Sequence, residues 1–197
     1  MRKSLLLMLI LGVCAICNAQ VKRFEHNLYL GLGEVNSTPY NDDSYAFRLG
    51  YGLNCYFSNH WSFMPGVAMR ARFEPGDEDG DEGAYDCTYI DIPLLAQYHL
   101  SSPKKSGLVV ECGPVLSFVA SNNTYYVDSN PSNEINNKDI YKTFDLGIQP
   151  GIYYQIGKHW RIGAQGYIGL LNTLKRYKGV NESYHWLDCT ATINFHF

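Results

Sequence analysis

Past its first twenty residues the sequence has no apolar run near the ~18 residues that a membrane-spanning helix requires, so no helical anchor is expected in the mature chain. Signatures of catalysis are missing too. None of the six histidines, His26, His60, His99, His159, His185 and His196, sits in an HExxH metal-binding pair, and no Gly-x-Ser-x-Gly elbow presents a nucleophile. Positive charge is in the minority, with 16 Lys and Arg against 19 Asp and Glu, which argues against a nucleic-acid partner. Cysteine is sparse at six residues, and two of these, Cys14 and Cys17, fall in the first twenty.

That opening stretch, MRKSLLLMLILGVCAICNAQ, places Arg2 and Lys3 before an apolar core and a small residue at Ala19. This layout predicts a secretory signal peptide over residues 1–19, cleaved after Ala19. A lipid-modified Cys14 is disfavoured because Val13 before it is larger than the small residue such a site carries. The mature part, residues 20–197, then holds 14 basic and 19 acidic residues, a net charge of −5. Its Cys55, Cys87, Cys112 and Cys189 enter a compartment that permits disulfides, but no two occupy opposed positions on neighbouring predicted strands, and no intrachain bridge is expected.

Strict alternation fills the mature chain. Tyr45, Phe47, Leu49, Tyr51 and Leu53 oppose Ala46, Arg48, Gly50 and Gly52; in the final segment Leu187, Ala191, Ile193, Phe195 and Phe197 oppose Asp188, Thr190, Thr192, Asn194 and His196. Period two means a strand with one apolar and one polar face. Eight such segments are predicted, the first a short one around Leu28, Leu30 and Leu32. Short connections centred on 58–60, 101–106 and 157–159 take turns with longer polar ones at 36–44, 74–84, 120–142 and 173–183. Short periplasmic turns alternating with longer external loops characterise a transmembrane β-barrel.

The polar face decides between a soluble and a membrane barrel. It carries Arg48, Arg70, Arg72, Asp91, Glu111, Asp145, Arg161 and Asp188, which an apolar ligand pocket would not tolerate. The apolar face therefore points to lipid. Phe57, Trp61 and Trp160 stand beside short turns, and Tyr45, Phe73, Phe118 and Phe144 beside long loops, forming two aromatic girdles. The fold expected is an all-β, eight-stranded antiparallel up-and-down transmembrane barrel. Eight strands leave a lumen that side chains fill, so the eight charged residues are expected to form a paired plug, with a proton or ion path as the rival reading. Pro65, Pro93, Pro114 and Pro150 lie within predicted strands, and each is expected to mark a bulge or a lost ladder bond.

Three stretches, YIDIPLLAQY (89–98), CGPVLSF (112–118) and FDLGIQPGI (144–152), resemble the PorT-like outer-membrane β-barrel family, with Asp91 where that family usually has Glu. Strand number and the terminal phenylalanine also resemble the small OmpA/OmpX-type barrels of Gram-negative outer membranes. The resemblance implies insertion by the barrel-assembly machinery, with Phe195 and Phe197 as its recognition signal, contact with outer-membrane lipid and lipopolysaccharide, and service to a secretion complex as one role. It carries no catalytic residue and no cofactor.

Loops supply the remaining candidates. GDEDGDEG, residues 76–83, offers Asp77, Asp79, Asp81 and Glu82 as weak Ca²⁺ ligands, although Glu82 stands where an EF-hand loop needs glycine; a solvated acidic tip is the simpler reading. The segment 122–141 mixes Asn, Ser and Tyr, a composition suited to adaptable surface contacts. Glu182, Ser183 and His185 suggest a lipid-modifying enzyme, but adjacent strand residues face opposite ways. The chain is expected to be a structural or surface-binding barrel and not an enzyme, with no metal site and its partners met through the external loops.

Overall fold

In the computed structural model the described residues are 23–38, 44–75, 84–101, 105–125, 134–136, 141–175 and 184–197. The predicted signal peptide and the acidic stretch 76–83 lie outside them. Nine strands follow in order: β1 (Arg23–Thr38), β2 (Ser44–Tyr56), β3 (Trp61–Glu74), β4 (Ala84–His99), β5 (Gly107–Tyr125), β6 (Glu134–Asn136), β7 (Phe144–Ile156), β8 (Trp160–Gly169) and β9 (His185–His196). Each long strand pairs antiparallel with its neighbours, β1 joins β9, and β4 joins β5. Eight strands thus close into a barrel with no free edge, while β6 adds a short rung to the outer end of β5. No helix among the described residues is long and apolar enough to cross a membrane. In this fold strands do the crossing.

Alternation becomes geometry at once. Along β9 every second residue is buried and the intervening ones are exposed. Exposed Leu30, Leu49, Val67, Ile90, Ile152, Ile162 and Ile193 belong to a continuous apolar outer wall. An apolar exterior around a polar interior inverts the arrangement of a soluble protein, as a lipid solvent demands.

The rim beside the short turns is built twice in the same way. In the β2–β3 turn His60 Nδ1 donates to the carbonyl of His99 at 2.7 Å, and Trp61 packs edge-on to Tyr98 with ring centroids 4.9 Å apart. In the β7–β8 turn His159 Nδ1 donates to the carbonyl of His196 at 2.8 Å, and Trp160 meets Phe195, also at 4.9 Å. A His-Trp pair after each turn therefore ties it to the end of the adjoining strand. Gly157, with φ of 62°, makes the tight β7–β8 reversal that an L side chain would strain.

Two expectations require correction. β1 spans 16 residues instead of a short segment, because its inward Gly31 and Gly33 and outward Glu34 and Asn36 blur the alternation while pairing on both sides holds it extended. Residues 120–125, expected in a loop, continue β5 past Phe118, where no lipid imposes an apolar face. The prolines mark lost ladder pairs, one of the two outcomes expected of them, and leave register intact. Pairing lapses beside them, as between Pro65↔Leu94 and Ala68↔Asp91, and resumes in phase. The register shift lies instead at Thr88/Tyr89, in the β4–β5 ladder.

Inward glycines make room for large side chains. A Cβ on Gly50 would come within 2.3 Å of the ring of Tyr29, its cross-strand partner, and one on Gly147 within 2.4 Å of Tyr167. Each of these two rings thus lies over an inward glycine of the strand beside it.

Candidate functional site

The lumen holds the molecule's concentrated polar chemistry, in two layers. Strand alternation brings Arg48, Arg70, Arg72, Asp91, Asp145 and Asp188 to the half nearer the long loops, and Glu111 and Arg161 to the other half; all eight are buried.

Arg48 and Arg70 are directly opposed across β2 and β3, a repulsive arrangement for like charges. Asp91 from β4 lies between them, accepting from Arg48 Nη2 at 3.1 Å and from Arg70 Nε at 2.7 Å. Asp188 on β9 completes the layer, 2.8 Å from Arg70 Nη1 and 3.1 Å from Arg72 Nη2. Aromatic faces spread the remaining positive charge: the Arg70 guanidinium lies 3.6 Å from the Tyr167 ring centroid, and that of Arg72 lies 4.1 Å from the centroid of Trp186. Three arginines and two aspartates thus form one buried network.

Asp145 is bonded to no arginine among the described residues. The Tyr167 hydroxyl donates to its Oδ2 at 2.7 Å, and the Leu146 N–H to Oδ1 at 2.8 Å. Ser117 links this pair to the cations, accepting from Arg70 Nη2 at 3.1 Å and donating to the Tyr167 oxygen at 3.2 Å. Neutral hydroxyls therefore relay between Arg70 and Asp145.

The second layer repeats the device. Glu111 accepts from Gln97 at 2.8 Å, Tyr153 at 2.7 Å and Gln149 at 3.2 Å. Arg161 donates to the carbonyl oxygen of the same Gln97 amide at 3.2 Å and to the Tyr56 hydroxyl at 3.1 Å, which in turn donates to Glu25 at 2.6 Å. The amide of Gln97 stands between cation and anion. His99 joins through Ser62, 3.1 Å from its Nε2, and His196 Nδ1 lies 3.6 Å from Glu25.

Glu25 and the relay residues Gln97, Ser117, Tyr56, Tyr153 and Tyr167 are what the sequence reading missed. Their signal was parity, since all share the inward face of their strands with the charges. Glu25 was lost because β1 was expected to be short.

The other candidates are spread over further parts of the fold or fall outside the described residues. His185 heads β9, whereas Glu182 and Ser183 lie outside the described residues. Asp77, Asp79, Asp81 and Glu82 also lie outside them, and among the described residues no three His, Cys, Asp or Glu side chains are grouped to hold a metal. Phe195 and Phe197 stack on the outer surface with centroids 6.0 Å apart. Phe197 continues the β1 ladder by exchanging backbone hydrogen bonds with His26, at 2.9 and 3.1 Å. Cys55, Cys87, Cys112 and Cys189 form no disulfide with one another; Cys112 and Cys189 are exposed, Cys87 is buried, and Cys55, on the outward row, is only 9% exposed.

The lumen sets the Ser62 hydroxyl 3.1 Å from the His99 imidazole and joins its buried cations and carboxylates directly or through hydroxyls and amides. Its chemistry is mutual neutralisation. The family model described as outer membrane protein beta-barrel domain matches residues 18–175. No curated protein sequence matches the chain. Among solved structures, Ail, the attachment invasion locus protein of Yersinia pestis, in complex with the heparin analogue sucrose octasulfate, is similar with a TM-score of 0.53 at 11% identity, covering 89% of this chain and 99% of Ail. Neisserial surface protein A is similar with a TM-score of 0.56 at 14% identity, covering 88% of this chain and 97% of its own. The outer membrane enzyme PagL is similar with a TM-score of 0.50 at 9% identity, over 86% and 97% of the two chains. At these identities the likeness is one of fold.

Proposed function

The chain belongs to the outer membrane protein beta-barrel domain family, and from that premise we propose that it is a non-catalytic barrel with a closed lumen that acts as a structural or surface-binding protein through its external loops. The observation carrying this reading is the double plug. Buried charges in a medium of low dielectric need partners, and here each of the eight charged groups has them, directly or through Ser117, Tyr167 and Gln97. Conduction would require this network to open.

Recognition then falls to the loop end. β5 runs seven residues beyond Phe118 of the outer girdle, and β6 pairs with its tip, so the walls rise past the membrane as a platform for the loops. Partners of this reading are outer-membrane lipid and lipopolysaccharide around the wall, the barrel-assembly machinery during insertion, and a surface protein or glycan at the loops. Service to a secretion complex, implied by the PorT-like resemblance, is a narrower form of the same reading. Co-purification from intact membranes would reveal such a complex as a stoichiometric partner.

Planar-bilayer recording of the purified protein tests the closed lumen. At most small, intermittent currents are expected. A steady, large ohmic conductance would overturn the proposal.

A further inference from the structure

The outer wall is not uniformly convex. Across β5, β7, β8 and β9 it sinks into a groove of about 530 Å³, lined by Cys112, Pro150, Ala164, Gly166, Leu187 and Cys189 among others, and almost wholly apolar. Its cause is local. Cys112 pairs with Pro150 and Gly166 pairs with Cys189, so four short residues stand side by side where neighbouring rows carry Ile152, Ile168 and Leu187. Gly166 contributes no side chain to the floor, and a Cβ there would lie 3.3 Å from the Asp188 carbonyl and 3.6 Å from Pro150.

We propose that this groove holds one acyl chain of an outer-leaflet membrane lipid as a discrete bound ligand, not as part of the exchanging lipid belt. Three observations select that occupant. First, the groove opens along its length onto the apolar wall that already faces hydrocarbon, so its contents come from the bilayer. Second, its upper end lies at Ile168 and Leu187. At the level where β2, β3, β5 and β7 carry the girdle aromatics Tyr45, Phe73, Phe118 and Phe144, Leu170 just past β8 and Leu187 of β9 stand instead, leaving a passage from the outer leaflet. Third, a second copy fits poorly. A two-fold contact sets the same patch against itself, so groove would face groove and double the void instead of filling it. A flexible chain fills a concave apolar surface and recovers the dispersion contacts that an empty groove forfeits. The inference rests on membrane placement and is independent of whether the lumen conducts.

Native mass spectrometry of the purified mature protein, released from micelles after incubation with dipalmitoyl phosphatidylethanolamine, tests it. Wild type is expected to retain one lipid at dilutions that strip the rest. Gly166→Leu, which fills the floor, should bind that lipid at least tenfold more weakly, while Val67→Leu on the opposite wall should bind it as wild type does. Should Gly166→Leu not fold by circular dichroism, Ala164→Leu adds bulk to the same floor and carries the same expectation. Wild type without a discrete retained lipid, equal retention in the groove-filling variant, or a dimer peak that this variant abolishes would each overturn the assignment.

Discussion

Replacing Asp91 by Asn removes one negative charge at the point where two arginines meet. Asp91 is fully buried and accepts three hydrogen bonds, from Arg48 Nη2 at 3.1 Å and from Arg70 Nε and Nη2 at 2.7 and 3.2 Å. Asparagine is nearly isosteric, and its one carbonyl oxygen can keep one or two of these contacts. Its NH₂ group then points at a guanidinium, donor against donor. Arg70 retains Asp188, but Arg48 has no other carboxylate bonded to it among the described residues. Removing one partner of a buried ion pair typically costs about 3–5 kcal/mol, a large part of a typical stability of about 5–15 kcal/mol. Urea unfolding of the purified protein in lipid vesicles, followed by tryptophan fluorescence and circular dichroism, should show a loss of about 3 kcal/mol or more. Arg48→Met combined with Asp91→Asn removes the stranded cation with the missing anion, and should recover at least half of that loss. A single variant within about 0.5 kcal/mol of wild type, or strictly additive losses in the double variant, would refute the network as the source of lumen stability.

Tyr167→Phe keeps the ring against Arg70 but removes the donor to Asp145. A loss of about 1–3 kcal/mol is expected in the same unfolding assay, with the barrel's circular dichroism spectrum unchanged. Gly50→Val should destabilise the barrel by overpacking against Tyr29, by about 1–3 kcal/mol, and adding Tyr29→Leu should relieve most of it; independence of the two changes would show that the contact is not tight. Phe197→Ala should lower the amount of barrel assembled in cells, read by heat-modifiable migration on gels, while the refolded protein loses little stability because only ring contacts with Phe195 and His26 disappear. Equal yield in cells would remove Phe197 from the assembly signal.

Much of the architecture was legible because lipid and lumen impose opposite demands on adjacent residues. Ile193 and Asn194 are neighbours in sequence and face different solvents, and this contrast repeats in β2, β3, β4 and β9 with enough force to count strands and orient their faces. It weakened in β1, where glycines line the lumen, and at the tip of β5, where both faces are polar. The lumen charges were visible as a set. Their partners were not, since Asp145 turned to Tyr167 and a main-chain amide, and Glu111 to amides and a phenol.

By itself, then, the sequence determined which face of each strand meets lipid, how many strands build the barrel, and which charges must be buried together, because side-chain direction in a strand depends only on local backbone geometry. The tertiary structure decided the pairing. Arg70 and Asp188 are 118 residues apart in sequence, and only closure of the barrel at a particular register brings them to 2.8 Å. The same closure sets Cys112, Pro150, Gly166 and Cys189 side by side, so that four short residues from four separate strands become one groove.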